Sequence, residues 1–91
     1  MIAEPEIEER VESSLEDPWA VMLWDDPVND MAYVTFVLAK VLGMDREKAS
    51  QVMLEAHTNG RARAWVGERH EAEAKATELH GWKLQATLER G

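Results

Sequence analysis

A chain of 91 residues, 45% of them hydrophobic, is long enough for one domain with a single small core. It contains no cysteine, which excludes disulfide bonds and thiolate metal sites. Its net charge of −8 argues against nucleic acid or an anionic membrane surface as a partner, and no apolar run approaches the ~20 residues that a membrane span needs.

The first 17 residues form a separate acidic segment. Seven of them are acidic and only Arg10 is basic, so most of the net charge lies here. Like charges at short spacing oppose a helix, and this composition is typical of disorder. We therefore predict a disordered acidic N-terminal tail over 1–17 and a folded domain over 18–91. The segment also lacks the basic and apolar regions of a signal peptide, so we expect a soluble, cytoplasmic protein.

The domain begins with an apolar run over 19–24, which is typical of a central strand. A polar turn follows it, with the sequence D-D-P-V-N-D-M over 25–31. Pro27 fixes its own φ and pushes Asp26 towards an extended conformation, so the turn is stiff. Binding groups are often mounted on rigid turns of this kind between packed elements.

Two helices come next. The first is predicted over 30–42, where apolar residues recur on one face, and Gly43 ends it. Asp45 is a good N-cap for the second helix, which is predicted over 45–58. Because the connection between the two is so short, they should pack as a hairpin pair.

The last three elements are a strand over 61–66 with charged residues on its open side, a helix over 68–80, and a half-buried strand over 82–89. The order is therefore β-α-α-β-α-β. It predicts an α/β (α+β) fold, a small two-layer sandwich in which a three-stranded antiparallel sheet packs on the helices.

The turn carries more acidic groups than local structure needs. One Asn or Asp suffices to cap a helix, but Asp25, Asp26 and Asp30 all lie here, together with Asn29. A cationic ligand would satisfy the surplus. At the end of the second helix, His57 falls one residue past the apolar face, and taken alone it reads as a surface residue that interacts favourably with the helix dipole.

A divalent metal bound by Asp25, Asp26 and His57 is an alternative, which would make the protein a metal-dependent hydrolase. The spacing favours it less, since no second histidine falls on the same helix as His57. A nucleophile–base pair is weaker still, because the chain has no cysteine and Ser13 and Ser14 lie in the tail. We therefore expect a binding module that has no catalytic residue, cofactor or metal.

Three segments together resemble the ClpS family of adaptors, which deliver N-degron substrates to the ClpAP or ClpCP protease. The family patterns N-D-D-x-T-P-M, M-L-x-V-H-x-x-G and P-L-x-C-T-L-E correspond to 25–31, 53–60 and 83–89 of this chain. The resemblance covers about 19–89 in the right order. The β-α-α-β-α-β order also resembles the C-terminal domain of the ribosomal stalk protein, but that family has a lysine-rich helical face and no aspartate turn.

The ClpS resemblance implies an adaptor that binds the free N-terminal residue of a substrate (Leu, Phe, Tyr or Trp) and hands the substrate to a Clp AAA+ unfoldase of the ClpA or ClpC type. The α-amino group would be bound by Asp25, Asp26, Asn29 and His57. The first side chain would enter a hydrophobic pocket of Met31, Val34, Met53, Ala56 and Leu84, with Met31 as its gate. The unfoldase would contact Glu73 and Lys75.

The chain also departs from the family pattern. Asp25 replaces the usual asparagine at the first turn position, Pro27 replaces an acid, and Asn29 replaces a threonine. This W-D-D-P-V-N form resembles a variant branch of the family. Since an ammonium group needs only acceptors, an additional carboxylate at position 25 suits it.

Overall fold

The sheet and helices follow the order that the sequence predicts. The structure is a computed structural model, and it describes residues 17–91. The elements are β1 (Trp19–Trp24), α1 (Met31–Leu42), α2 (Arg46–Asn59), β2 (Arg61–Gly67), α3 (Arg69–Gly81) and β3 (Ala86–Arg90). The tail predicted over 1–17 lies outside the described residues apart from Asp17. No helix within residues 17–91 has both the length and the apolar character needed to cross a membrane.

β1 is the central strand, as its apolar composition predicts. The strand order is β2-β1-β3, and both neighbours run antiparallel to β1. Val21 and Leu23 point from β1 into the main core, where they meet Val37 and Leu38 of α1 and Leu79 of α3. All three helices contact the sheet or each other around this core, so the two-layer sandwich is confirmed.

Along the first part of β2, buried and exposed charged side chains alternate, as predicted. Ala62 and Ala64 are buried in the core, whereas Arg61 and Arg63 are exposed on the other face. Arg61 Nη1 donates to Glu89 Oε1 over 2.7 Å, and this pair crosses β1 because Glu89 lies on β3. Long arginine side chains therefore cover the outer face of the central strand.

The helix ends lie close to their predicted positions because the capping residues act as expected. Asp30 accepts a hydrogen bond from the backbone of Tyr33 at 2.9 Å, and Asp45 accepts one from Lys48 at 2.8 Å. Gly43 has a φ of 69° and ends α1 in the left-handed region. This geometry fixes the sharp reversal between α1 and α2.

The final strand is shorter than predicted, since it begins at Ala86 instead of residue 82. Residues 82–84 continue the C-terminal turn of α3, and the carbonyl of Gln85 already accepts a hydrogen bond from the backbone of Trp24 in β1. The backbone N–H groups of Trp82, Lys83 and Leu84 donate to carbonyls of residues 78–80, and Lys83 has a φ of 73°. Apolar and polar residues do alternate in this segment. Its first backbone N–H groups, however, donate to the carbonyls left unpaired at the end of α3, so the strand begins later.

Candidate functional site

The turn between β1 and α1 is built around Asp26. Its Oδ1 accepts hydrogen bonds from the backbone of Val28 and of Asn29, both at 2.9 Å, and its Oδ2 accepts one from Asn29 Nδ2 at 2.8 Å. Partial burial raises the pKa of Asp26, but the hydrogen bonds from Asn29 and Val28 outweigh it and leave the pKa below its ordinary value. Asp26 is therefore ionised at neutral pH and holds the turn in shape.

Two longer-range hydrogen bonds attach this turn to the rest of the fold. Asn29 Nδ2 also donates to the carbonyl of Lys83 at 3.2 Å, which ties the turn to the α3–β3 connection. The backbone of Asp25 donates to the carbonyl of Gly60 at 2.9 Å, which ties it to the end of α2. The second bond brings Asp25 beside the last turn of α2, where His57 lies.

Asp25 and His57 form the polar edge of the site. Asp25 Oδ1 lies 3.3 Å from His57 Nδ1, and the two side chains are 41% and 53% exposed. If His57 donates from Nδ1 to this carboxylate, its Nε2 remains free to accept a hydrogen bond. The pair thus offers carboxylate oxygens and a ring nitrogen to one small cationic group.

An apolar cleft, here called the turn cleft, opens beside this pair. Four of the five predicted pocket residues line it, namely Met31, Val34, Met53 and Ala56. The four predicted amino-binding residues stand at its edge, and these are Asp25, Asp26, Asn29 and His57. Leu23 and Trp24 also line it, although we did not predict them. Their position directly before the turn in the sequence was the available indication.

Leu84, the fifth predicted pocket residue, lies elsewhere. It is buried in the core and borders an open depression that is also lined by Trp24, His80 and Gln85. Leu84 is placed by the C-terminal turn of α3, where its backbone donates to Leu79. It supports the fold behind the site but does not line the turn cleft.

The turn cleft is narrow in this conformation. Its enclosed space is about 20 Å³, roughly the volume that one water requires. A leucine or phenylalanine side chain enters only if a lining side chain moves aside. Met31 is suited to this, because it stands at the first position of α1 with 45% of its surface exposed, and an unbranched thioether changes rotamer easily.

The hydrogen bonds of Asp26 also bear on the metal hypothesis. Within residues 17–91, no three His, Cys, Asp or Glu side chains are close enough to hold a metal ion together. Asp26 uses both oxygens within its own turn. A metal bound by Asp25, Asp26 and His57 would have to displace those hydrogen bonds.

The predicted unfoldase contacts, Glu73 and Lys75, lie on α3 and do not line the turn cleft. Glu73 Oε2 accepts from Arg69 Nε at 3.1 Å, and Arg69 stacks 5.2 Å from the Trp19 ring. Lys75 Nζ lies 5.2 Å from the centre of the Trp65 ring. Trp19 opens β1, whereas the turn cleft follows the end of β1. Glu73 is therefore linked through Arg69 to the start of β1, whereas Lys75 lies beside Trp65, which pairs with Val21 in the middle of that strand.

Comparison with known proteins gives consistent matches. The family model for the ATP-dependent Clp protease adaptor protein ClpS matches residues 14–88. The ATP-dependent Clp protease adapter protein ClpS of Corynebacterium diphtheriae is 40% identical, over 99% of this chain and 83% of that protein. The protein of the same name from Corynebacterium jeikeium is 44% identical, over 80% of this chain and 72% of that protein.

A solved structure shares the fold as well. Agrobacterium tumefaciens ClpS2 bound to L-phenylalaninamide superposes with a TM-score of 0.75 at 34% sequence identity, covering 82% of this chain and 98% of that chain. These matches favour one family over the resemblance to the ribosomal stalk protein. On the family model, the relatives and the shared fold together, the chain belongs to the ClpS family of Clp protease adaptor proteins.

Proposed function

We propose that this protein is an adaptor that binds the free N-terminal residue of a substrate and delivers the substrate to a Clp AAA+ unfoldase–protease. The observation that carries the proposal is the half-exposed Asp25–His57 pair beside the apolar turn cleft. An N-terminal residue with a large apolar side chain presents a cation and an apolar group from the same carbon atom. L-Phenylalaninamide, bound by the related Agrobacterium tumefaciens protein, has this chemistry.

The amino group of the substrate would be bound by Asp25 and His57. A free α-amino group has a pKa of about 7.7–8.0, so it is mostly an ammonium at neutral pH. Its three N–H groups need acceptors, which the two oxygens of Asp25 and the His57 ring supply. Hydrogen bonds to charged groups contribute about 1.5–3 kcal/mol each. Asp26 contributes by keeping the turn rigid and, as an ionised carboxylate close by, by attracting the cation.

The side chain of the first residue would occupy the turn cleft. Burying a leucine or phenylalanine side chain contributes about 1.5–3 kcal/mol. Together with the hydrogen bonds, and less the cost of immobilising a peptide end, this predicts roughly micromolar affinity, about −8 kcal/mol. Such an affinity suits an adaptor, because it must release its substrate to the unfoldase.

We also propose that the surface of Glu73 and Lys75 binds an unfoldase of the ClpA or ClpC type. Because neither residue lines the turn cleft, a substrate bound there would remain accessible while the adaptor is docked. The proposed protein partner and the proposed peptide ligand would then bind independently.

The test compares a fluorescent ten-residue peptide that starts with Leu with its N-acetylated twin by fluorescence anisotropy. We expect roughly micromolar binding of the free peptide and at least tenfold weaker binding of the acetylated one, because acetylation removes the charge and adds bulk. Binding of the two within threefold of each other would refute the assignment of the amino-group site. Calorimetric titration with Zn²⁺ and Mn²⁺ alone tests the metal-dependent alternative on the same sample.

A further inference from the structure

A second depression, here called the helix groove, continues from the turn cleft between α1 and α2. It has a volume of about 460 Å³ and is lined by Met31, Ala32, Thr35, Phe36, Ala39, Arg46, Ser50 and Met53. Met31 and Met53 line both depressions, so the two form one continuous surface. A peptide whose first side chain fills the turn cleft would pass these two methionines before entering the groove.

The near part of the helix groove exposes apolar surface. Phe36 is 54% exposed, although one edge of its ring meets the Trp82 ring, with centroids 6.1 Å apart. Ala32 and Ala39 lie one turn before and about one turn after it on α1, and their small side chains leave depth beside the phenyl ring. A half-exposed phenylalanine next to a binding cleft is a suitable contact for an apolar side chain.

The far part of the helix groove is basic. Arg46 is exposed in the first turn of α2, and among residues 17–91 its side chain takes part in no ion pair. Ser50, one turn further along α2, adds a hydroxyl. Its sequence neighbours Asp45 and Glu47 are acidic, but Asp45 accepts from the backbone of Lys48 and neither forms an ion pair with Arg46 among the described residues, so the guanidinium can pair with an acidic group of a ligand.

The spacing along the groove matches a short extended peptide. Met53 and Arg46 are seven residues apart on α2, which is about 10.5 Å at the helical rise of ~1.5 Å per residue. An extended chain advances about 3.3 Å per residue, so three residues cover that distance. If the first residue lies at Met53, the fourth reaches the level of Arg46, and the residues between them pass the groove lining of Phe36 and Ala39.

We propose that the helix groove binds the third and fourth residues of the substrate and selects an apolar third residue and an acidic fourth residue. This inference rests on the proposed function, because it takes the first residue to be held in the turn cleft. Successive side chains of an extended peptide point to opposite sides, so the first and third residues face the protein together. The fourth side chain points to the opposite side of the peptide, where only a long, exposed side chain such as that of Arg46 can reach its carboxylate.

The experiment measures anisotropy with Leu-start peptides that differ only at the third residue (Leu or Ser) or the fourth (Glu or Lys). We expect Leu to be preferred over Ser, and Glu over Lys, each by about fivefold. R46E should reverse the order of the Glu and Lys peptides. F36A should reduce the preference at the third residue to less than twofold.

Two controls separate the groove from the turn cleft. K48E makes the same charge reversal on α2 at a residue outside the groove, and it should leave the order of the Glu and Lys peptides unchanged. L-Phenylalaninamide has no third or fourth residue, so its affinity should be the same for wild type, R46E and F36A within twofold. Circular dichroism checks that each variant is folded.

The outcomes distinguish this inference from the function on which it rests. If wild type binds the amide and all Leu-start peptides alike, the helix groove has no role and the proposed function stands. The same conclusion follows if R46E and K48E change the affinities of the Glu and Lys peptides equally, because the effect would then come from the overall charge of the protein and not from the helix groove. If wild type binds neither the amide nor any peptide, both proposals are refuted.

Discussion

Met31→Ala tests whether Met31 controls entry to the turn cleft or only fills the core. Met31 follows the turn directly, lines both depressions and belongs to the apolar face of α1. As a gate, its thioether would lie beside the first substrate side chain, where an unbranched Cβ passes and the second Cγ of Val or Ile clashes. Removing the thioether should then admit Ile-start and Val-start peptides.

The exposure of Met31 sets the expected magnitude. Fully burying a methionine contributes about 1.5–3 kcal/mol, and Met31 is 45% exposed, so its truncation should lower the free energy of unfolding by only about 1 kcal/mol. A fully buried Met→Ala change costs about 2–5 kcal/mol. Overpacking by a branched side chain costs about 1–3 kcal/mol, which corresponds to a Leu-over-Ile preference of about 5- to 150-fold in the wild type. In the variant the preference should fall to about threefold or less.

Anisotropy with Leu-, Ile- and Val-start peptides measures the preference, and a denaturant titration measures stability. Met44→Ala is the matched control, because Met44 is also partly buried against the core but lies outside both depressions. It should leave the Leu-over-Ile preference unchanged. A loss of more than about 2 kcal/mol in Met31→Ala, with the preference retained, would show that Met31 is a core residue and refute the gate.

His57→Ala and Asp26→Ala should both weaken Leu-start peptide binding with the fold intact by circular dichroism. His57→Ala removes an acceptor, whereas Asp26→Ala also leaves the three donors of the turn unpaired. Because the folded pKa of Asp26 is depressed, its stabilisation is present above the ordinary carboxyl pKa and is lost as pH falls through the lower folded value. In the wild type, the free energy of unfolding should therefore fall at acidic pH as Asp26 is protonated, and this contribution should be absent in Asp26→Ala. The same pH dependence in both proteins would contradict this role. Deletion of 1–17 and Lys75→Glu should each retain peptide affinity and impair degradation of a Leu-start reporter by the protease; lost affinity or full degradation would count against the delivery role.

The local signals in the sequence were sufficient for the order and approximate bounds of the helices and strands. Asp45 caps α2 as predicted, and Asp30, at the start of the predicted first helix, caps α1, because capping depends on residues three positions apart. Asp25 and His57, which the resemblance to the ClpS family paired in one site, both line the turn cleft, and their binding of an amino group stays a prediction. The hydrogen bonds of Asp26 are also local. Aspartate side chains in turns commonly accept from backbone N–H groups two and three residues ahead, as Asp26 does from Val28 and Asn29.

Only the tertiary structure determines the features that depend on contacts between residues far apart in the sequence. The turn is held by the carbonyls of Lys83 and Gly60, from parts of the chain far away in sequence, and no local pattern shows those bonds. The position of Leu84 also depends on the fold, because its backbone donates a hydrogen bond to Leu79 at the end of α3 and its side chain is not among those that line the turn cleft. The sequence by itself determined which segments form helices and strands, since periodicity and capping act within a few residues. The shape of the turn cleft and its continuity with the helix groove depend on how α1 and α2 pack, and only the folded chain determines that packing.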